Sequence, residues 1–208
     1  MDIVYLTIKR IIDFLFSLII LLILLPLFLV VAILIKLDSK GPVIFKQSRL
    51  GKDGNVFKVW KFRTMIDNAE KMGTGLTTAQ NDPRITRVGK ILRKTSIDEL
   101  PQLINILKGD MSFIGPRPAP VHHLKQYNEN ERQRLKVLPG ITGWAQVNGR
   151  NILTWPERIE KDIWYVNNIS FLLDLKIAFK TIKVVLLSEG VYSGRNDAKV
   201  AKENKKLS

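Results

Sequence analysis

The apolar run Ile11–Ile35, IIDFLFSLIILLILLPLFLVVAILI, limits this chain more than any other feature, because a segment with only Asp13 and Ser17 polar belongs in lipid. At ~1.5 Å per residue it is long enough to match a hydrocarbon core of ~30 Å. Its length, and the lack of a small-residue cleavage motif after it, argue against a removable signal peptide. Lys9 and Arg10 precede the run, and Lys36, Lys40, Lys46 and Arg49 follow it. Cations on both flanks draw both ends to the cytoplasmic side, which one straight span does not satisfy. Pro26 removes the hydrogen bond to the Leu22 carbonyl and favours a bend. A re-entrant helix that enters, bends and returns meets both conditions. A proline-kinked span packed among neighbours is the alternative.

The chain has 208 residues, enough for one globular domain behind the membrane segment. The composition divides it into a membrane helix (1–38), a domain (39–189) and a polar, lysine-rich tail (190–208) expected to be flexible. Val43–Gln47 and Val56–Phe62 flank LGKDGN, whose Asp53-Gly54 pair marks a hairpin turn. Helical periodicity over Ile85–Thr95 puts Val88, Ile91 and Leu92 on a buried stripe. PQLINILKGD reads as a short helix opened by Pro101 and closed by Gly109. Trp155–Val166 and Leu172–Leu187 are amphipathic, and their Trp, Tyr and Lys residues suit either a headgroup-level helix or an ordinary core face. The predicted class is α+β, mainly helical, with one small hairpin.

A formal net charge of +14 implies a polyanionic partner: nucleic acid, an anionic membrane or a phosphate-bearing substrate. The absence of cysteine excludes disulfides, thiolate metal sites and a thiol nucleophile. His122 and His123 are adjacent and lack metal-ligand spacing, which favours surface or packing roles. TSIDELPQ carries an acid pair, Asp98 and Glu99; Ser96 with Glu99 also fits a capping box, so a structural role for Glu99 stands beside a chemical one. In KFRTM, Lys61 and Arg63 alternate around Phe62 and are expected on one face. FIGPRP holds Arg117 between two prolines. LPGITGWAQVNGR contains three glycines that admit close backbone approach, and its Gln146, Asn148 and Arg150 alternate as in an extended segment. Cations from separate segments, Lys61, Arg63, Arg93, Arg117 and Arg150, suit phosphate clamps better than a continuous footprint, so no nucleic acid is expected. An acid pair among them can hold Mg²⁺ and attack phosphorus. A membrane-anchored basic binding module without catalysis accounts for the charge but gives the acid pair no task.

The segments KFRTM, DELPQLINILKGDMSFIGPRP and PGITGWAQVNGR, in this order behind a basic-flanked apolar segment with a proline, closely resemble the bacterial sugar transferase family of monotopic phosphoglycosyl transferases. The likeness runs from about Lys9 to Leu187, and the length resembles the small members that are little more than the catalytic core. It implies transfer of a sugar-1-phosphate from a UDP-sugar to a polyprenol phosphate, typically undecaprenyl phosphate, with release of UMP, as the first membrane step of glycoconjugate assembly. By the same resemblance Asp98 is the nucleophile of a ping-pong mechanism, Glu99 its acid-base or positioning partner, and Mg²⁺ the cofactor, with Asp98 as metal ligand. Arg93 and Arg117 become the first phosphate-contact candidates, and Gln146, Asn148 and Arg150 the nucleotide-sugar side. The resemblance implies a break of the re-entrant helix at Pro26, contact with inner-membrane lipid, and a catalytic domain on the cytoplasmic face of the bacterial inner membrane. Family members often carry serine before that proline, whereas Leu25 stands here. No motif reports which sugar is taken, since such discrimination comes from small pocket differences.

Overall fold

In the computed structural model the described residues are 3–69, 72 and 82–186; the predicted tail and Leu187 lie outside them. Helix α1 runs from Ile3 to Asp38 and continues as helix through Pro26. It is the one described helix long and apolar enough to cross a membrane. Positions four apart share a helix face, and one such face of α1 is turned to the protein. Tyr5, Lys9, Asp13 and Ser17 begin it, and Ile20, Leu24, Val31 and Ile35 complete it against the domain. The two polar residues of the apolar run are therefore buried: the Asp13 carboxylate accepts the Phe113 N–H at 3.3 Å, and Ser17 Oγ donates to the Phe14 carbonyl at 2.9 Å. Leu22, Ile23, Leu29 and Val30 on the other face are exposed.

Strands β1 (Ile44–Leu50) and β2 (Val56–Phe62) form the predicted antiparallel hairpin, paired from Ile44↔Phe62 to Leu50↔Val56. Asp53 and Gly54 turn it with φ of 56° and 81°. The open edge of β2 is closed by one side chain: Asn105 Oδ1 accepts the Trp60 N–H at 3.0 Å, and its Nδ2 donates to the Lys58 carbonyl at 2.8 Å. Asn105 belongs to helix α3 (Gln102–Lys108), which begins after Pro101 and ends at Gly109 with φ 89°, as its sequence indicates. Arg10 of α1 donates to the Ile106 and Leu107 carbonyls at the end of α3 (2.6 and 3.1 Å), the first of which also accepts the Gly109 N–H.

Helix α2 (Arg87–Thr95) departs from the predicted stripe. Leu92 is buried, whereas Ile91 is 63 % exposed. The cause is Gly89, where a Cβ would lie 2.1 Å from the Thr64 carbonyl oxygen; the face through Gly89 and Leu92 turns inward and Ile91 falls off it.

Strand β3 (Ser112–Ile114) pairs in parallel with β4 (Gly140–Thr142), joining the two turn-rich motifs. Their glycines serve each other: a Cβ on Gly115 would lie 2.4 Å from the Leu138 oxygen, and one on Gly143 2.1 Å from the Gly115 oxygen. The extended alternation expected over Gln146, Asn148 and Arg150 is not found, because the chain winds into helix α5 (Trp144–Val147) and then turns at Gly149 and Arg150, with φ of 140° and 50°. After the short helix α4 (Glu129–Arg132), the C-terminal pair is α6 (Trp155–Asn167) and α7 (Phe171–Leu186). The apolar residues of α6 are mostly core: Ile159, Tyr165 and Val166 are buried, while Trp164 is half exposed. In α7, Leu173 and Ile177 are buried, while Phe171, Leu172, Leu175, Phe179 and Ile182 are exposed. Thr154 opens α6 with a capping box to Glu157.

His123 has a packing role, its ring 4.3 Å from that of Trp155. Burial, aided by His122, Arg134 and Arg49, pushes its imidazole down to about 4. An unfolded histidine titrates near ~6.5, so this packing contributes its full stability above that pH. As the pH falls from ~6.5 toward about 4, the unfolded chain takes a proton that the folded one refuses, and stability drops. Thermal melts of His123→Phe in detergent are expected to fall less steeply over this window than those of the parent protein. Identical slopes would remove His123 from the account.

Candidate active site

Asp98 and Glu99 lie in a 3₁₀ turn, Ile97–Glu99, between α2 and α3. Ser96 ends α2 in the left-handed region with φ 58°, and its side chain caps nothing. The Glu99 N–H bonds the main-chain oxygen of Ser96 at 3.2 Å, so the capping-box alternative is not realised. The Glu99 carboxylate instead receives Lys61 Nζ at 2.8 Å and Arg117 at 2.6 and 3.4 Å. Burial alone would raise Glu99, but Arg117 and Lys61 outweigh it and hold the carboxyl well below the usual range. Asp98 accepts no hydrogen bond among the described residues. Burial and then the neighbouring Glu99 charge push it upward, against the pull of Lys61, Arg93 and Arg117. Two adjacent acids are thus made different by their surroundings: one pinned and ionised, the other open.

The fold brings most of the sequence candidates to this pair. Lys61 arrives on β2 and Arg117 from the turn after β3. Arg93 donates to Thr64 Oγ1 at 2.8 Å, and its charge reaches Asp98. Arg150 donates to Ser96 Oγ at 3.2 Å, and both acids act on its charge. Three candidates are placed otherwise. Arg63 does not share the Lys61 direction: its buried guanidinium donates to the Ser39 and Lys40 carbonyls (2.7 Å each), closing the end of α1, because β2 has already ended at Phe62. Asn148 donates to the Trp144 carbonyl at 2.8 Å and accepts Lys180 at 3.0 Å, which uses its amide between α5 and α7. Gln146 lies beside the Gly143 junction, with both polar atoms of its amide buried and, among the described residues, without a hydrogen-bond partner.

Among the described residues no three acids or histidines converge into a ready metal cage. Mg²⁺ is commonly held by one or two carboxylates together with substrate phosphates, keeping several waters. The open Asp98 carboxylate fits that mode; Glu99, saturated by two cations, does not.

Sequence reasoning missed Arg134 and Asp162, which ERQRLKV and IEKDIW present as ordinary solvated helix residues. Both are buried, paired at 2.5 Å, and Arg134 also donates to Tyr127 Oη and, at 3.1 Å, to the Arg117 carbonyl. The pair therefore fixes the main chain of Arg117 while the flanking prolines limit its dihedrals. Asp162→Leu, leaving a buried guanidinium unpaired, is expected to destabilise the protein by ~3–5 kcal/mol in denaturant unfolding. Arg134→Lys, which keeps the charge and loses the fork, is expected to retain the fold while weakening the Arg117 contact; an unchanged turnover rate would show that Arg117 needs no such anchor.

The sequence profile of the bacterial sugar transferase family matches residues 4–188. The chain is 49% identical over 165 residues to a protein of Bacillus subtilis named uncharacterized sugar transferase EpsL, covering 79% of each. It is 45% identical over 193 residues to the UDP-glucose:undecaprenyl-phosphate glucose-1-phosphate transferase of Escherichia coli, covering 88% of this chain and 41% of that protein. It is 44% identical over 193 residues to a UDP-N-acetylgalactosamine-undecaprenyl-phosphate N-acetylgalactosaminephosphotransferase of Aeromonas hydrophila, spanning 45% of its length. With the profile matched over nearly all described residues and the acid pair set among its cations, the chain belongs to the bacterial sugar transferase family.

Proposed function

We propose that the protein transfers a sugar-1-phosphate from a UDP-sugar to undecaprenyl phosphate, releasing UMP, through a covalent intermediate on Asp98. The observation that carries this reading is the asymmetry of the acid pair: Glu99 is held by Lys61 and Arg117, and Asp98 accepts no hydrogen bond among the described residues. The relatives' names point to the same substrate classes, with glucose in one and N-acetylgalactosamine in another. In the first half-reaction an Asp98 oxygen forms a bond to the β-phosphorus, the bond to the bridging oxygen breaks, and UMP leaves with that electron pair. In the second, an oxygen of the lipid phosphate attacks the same phosphorus and frees Asp98. Arg93, Arg117, Lys61 and Arg150 stabilise charge on the phosphoryl oxygens as it builds. Asp98 would hold Mg²⁺ together with substrate oxygens, and the ion would supply charge neutralisation there. Glu99 orients Lys61 and Arg117 rather than moving a proton, since its two cations keep it ionised.

Membrane placement follows the same reading. Both ends of α1 are tied to one domain: Lys9 and Tyr5 to Asp174 of α7 at 2.5 and 2.6 Å, and the far end through Arg63 and through Asp38, which accepts the Val88 N–H at 2.9 Å. This supports a re-entrant placement with both ends of α1 on the cytoplasmic face of the inner membrane and the exposed apolar face of α7 in the headgroup layer; a bend about Pro26 belongs to the proposal, since α1 itself continues as helix through that residue.

Asp98→Asn is expected to lose turnover by roughly 10³-fold or more with the melting temperature retained, in an assay of nucleotide release from a UDP-sugar panel with Mg²⁺ and undecaprenyl phosphate. Residual turnover near the parent rate would remove the covalent assignment. Single cysteines at Ile3 and Ser39, in a chain that has none, are expected to label from the cytoplasmic side of inverted vesicles alike. Labelling from opposite sides would establish a span.

A further inference from the structure

Arg49, near the end of β1, lies on the hairpin face that points to the acid pair. It pairs with Phe57, and Phe57, Val59 and Lys61 alternate along that face of β2. With Lys61, Gln102 and Arg117 it lines a cleft of about 20 Å³, room for one water-sized oxygen. Its guanidinium is seated on a neutral acceptor: Nε and Nη2 donate to Gln47 Oε1 at 3.1 and 2.6 Å. No described carboxylate lies within ion-pair distance of it, and the nearby Glu99 is already taken by Lys61 and Arg117. Burial, and then the charge of Arg117, push Arg49 down to about 10. A half-buried cation beside a second one, with only a neutral acceptor, is costly alone and becomes favourable when an anion enters between them.

We propose that Arg49 is a phosphate-binding residue of this site, its guanidinium held by Gln47 and donating to a substrate phosphoryl oxygen in the cleft shared with Lys61 and Arg117. The inference rests on the proposed transferase reading for its substrates, which carry this chemistry twice: in the diphosphate of the UDP-sugar and in the phosphate of the lipid acceptor. A purely structural Arg49 would do no more than hold Gln47 and the end of β1.

The test uses the full chain in detergent and its Arg49→Met, Arg49→Lys and Gln47→Leu variants. Binding of inorganic pyrophosphate, by calorimetry without turnover, is expected to weaken ~10-fold or more in Arg49→Met, less in Arg49→Lys and least in Gln47→Leu. The melting temperature of Arg49→Met is expected to stay equal or rise, since the mutation relieves repulsion with Arg117. In turnover, the half-saturating concentration of one substrate is expected to rise ~10- to 100-fold. A rise confined to the UDP-sugar assigns Arg49 to the donor diphosphate, and one confined to undecaprenyl phosphate assigns it to the acceptor. Equal pyrophosphate affinity in Arg49→Met and the parent, or a loss of affinity only in step with a lowered melting temperature, overturns the inference. Failure of the parent to release UMP from any UDP-sugar would instead overturn the transferase reading, and the pyrophosphate comparison would still decide Arg49.

Discussion

The ion pairs that Glu99 makes with Lys61 and Arg117 organise everything else in this site. They draw together a strand, a short turn and a proline-flanked loop, three segments far apart in sequence. They also separate the roles of two neighbouring acids. A carboxylate that already holds two cations is a poor nucleophile and a poor proton carrier, whereas its unpartnered neighbour keeps its lone pairs available. The excess of positive charge around the pair is repulsive within the protein alone and is the field a phosphate would meet on entry.

The long apolar helix α1 belongs to the same framework. Asp13, an acid within an apolar run, holds the Phe113 N–H at the start of the segment that leads to Arg117, and Arg10 closes the end of α3, which begins just after the acid turn. The polar stripe Tyr5, Lys9, Asp13 and Ser17 therefore binds the long apolar helix to the layer that carries the acid pair. The proposed reaction, joining a water-soluble nucleotide sugar to a lipid phosphate, requires a fixed relation between the site and the bilayer surface. The Arg134–Asp162 pair plays the matching part on the opposite side, holding the Arg117 main chain from within the core.

Much of this was legible in the sequence because local rules govern it. The hairpin turn at Asp53-Gly54, the helix bounded by Pro101 and Gly109, and the helical character of the apolar run all follow from residue-level preferences. Ile91 was misplaced because helical periodicity does not report which side a glycine presses against a neighbouring backbone. Arg63 looked like a partner for Lys61 because alternation holds only while a strand continues, and β2 ends at Phe62. The glycines of FIGPRP and PGITG signalled close backbone approach, but the two backbones approach each other. Arg49, Arg134 and Asp162 carried no local signal at all, since a buried ion pair or a cation lacking one is defined only by what long-range packing brings beside it.

The central claim is that the open carboxylate of Asp98 carries the sugar phosphate between donor and acceptor. The most direct measurement is the intact mass of the full-length protein after incubation with Mg²⁺ and a UDP-sugar that supports turnover, in the absence of undecaprenyl phosphate. The account predicts a mass gain of one sugar phosphate, mapped by fragmentation to Asp98 and discharged when the lipid phosphate is added. An unmodified mass, with UMP appearing only once both substrates are present, would contradict it.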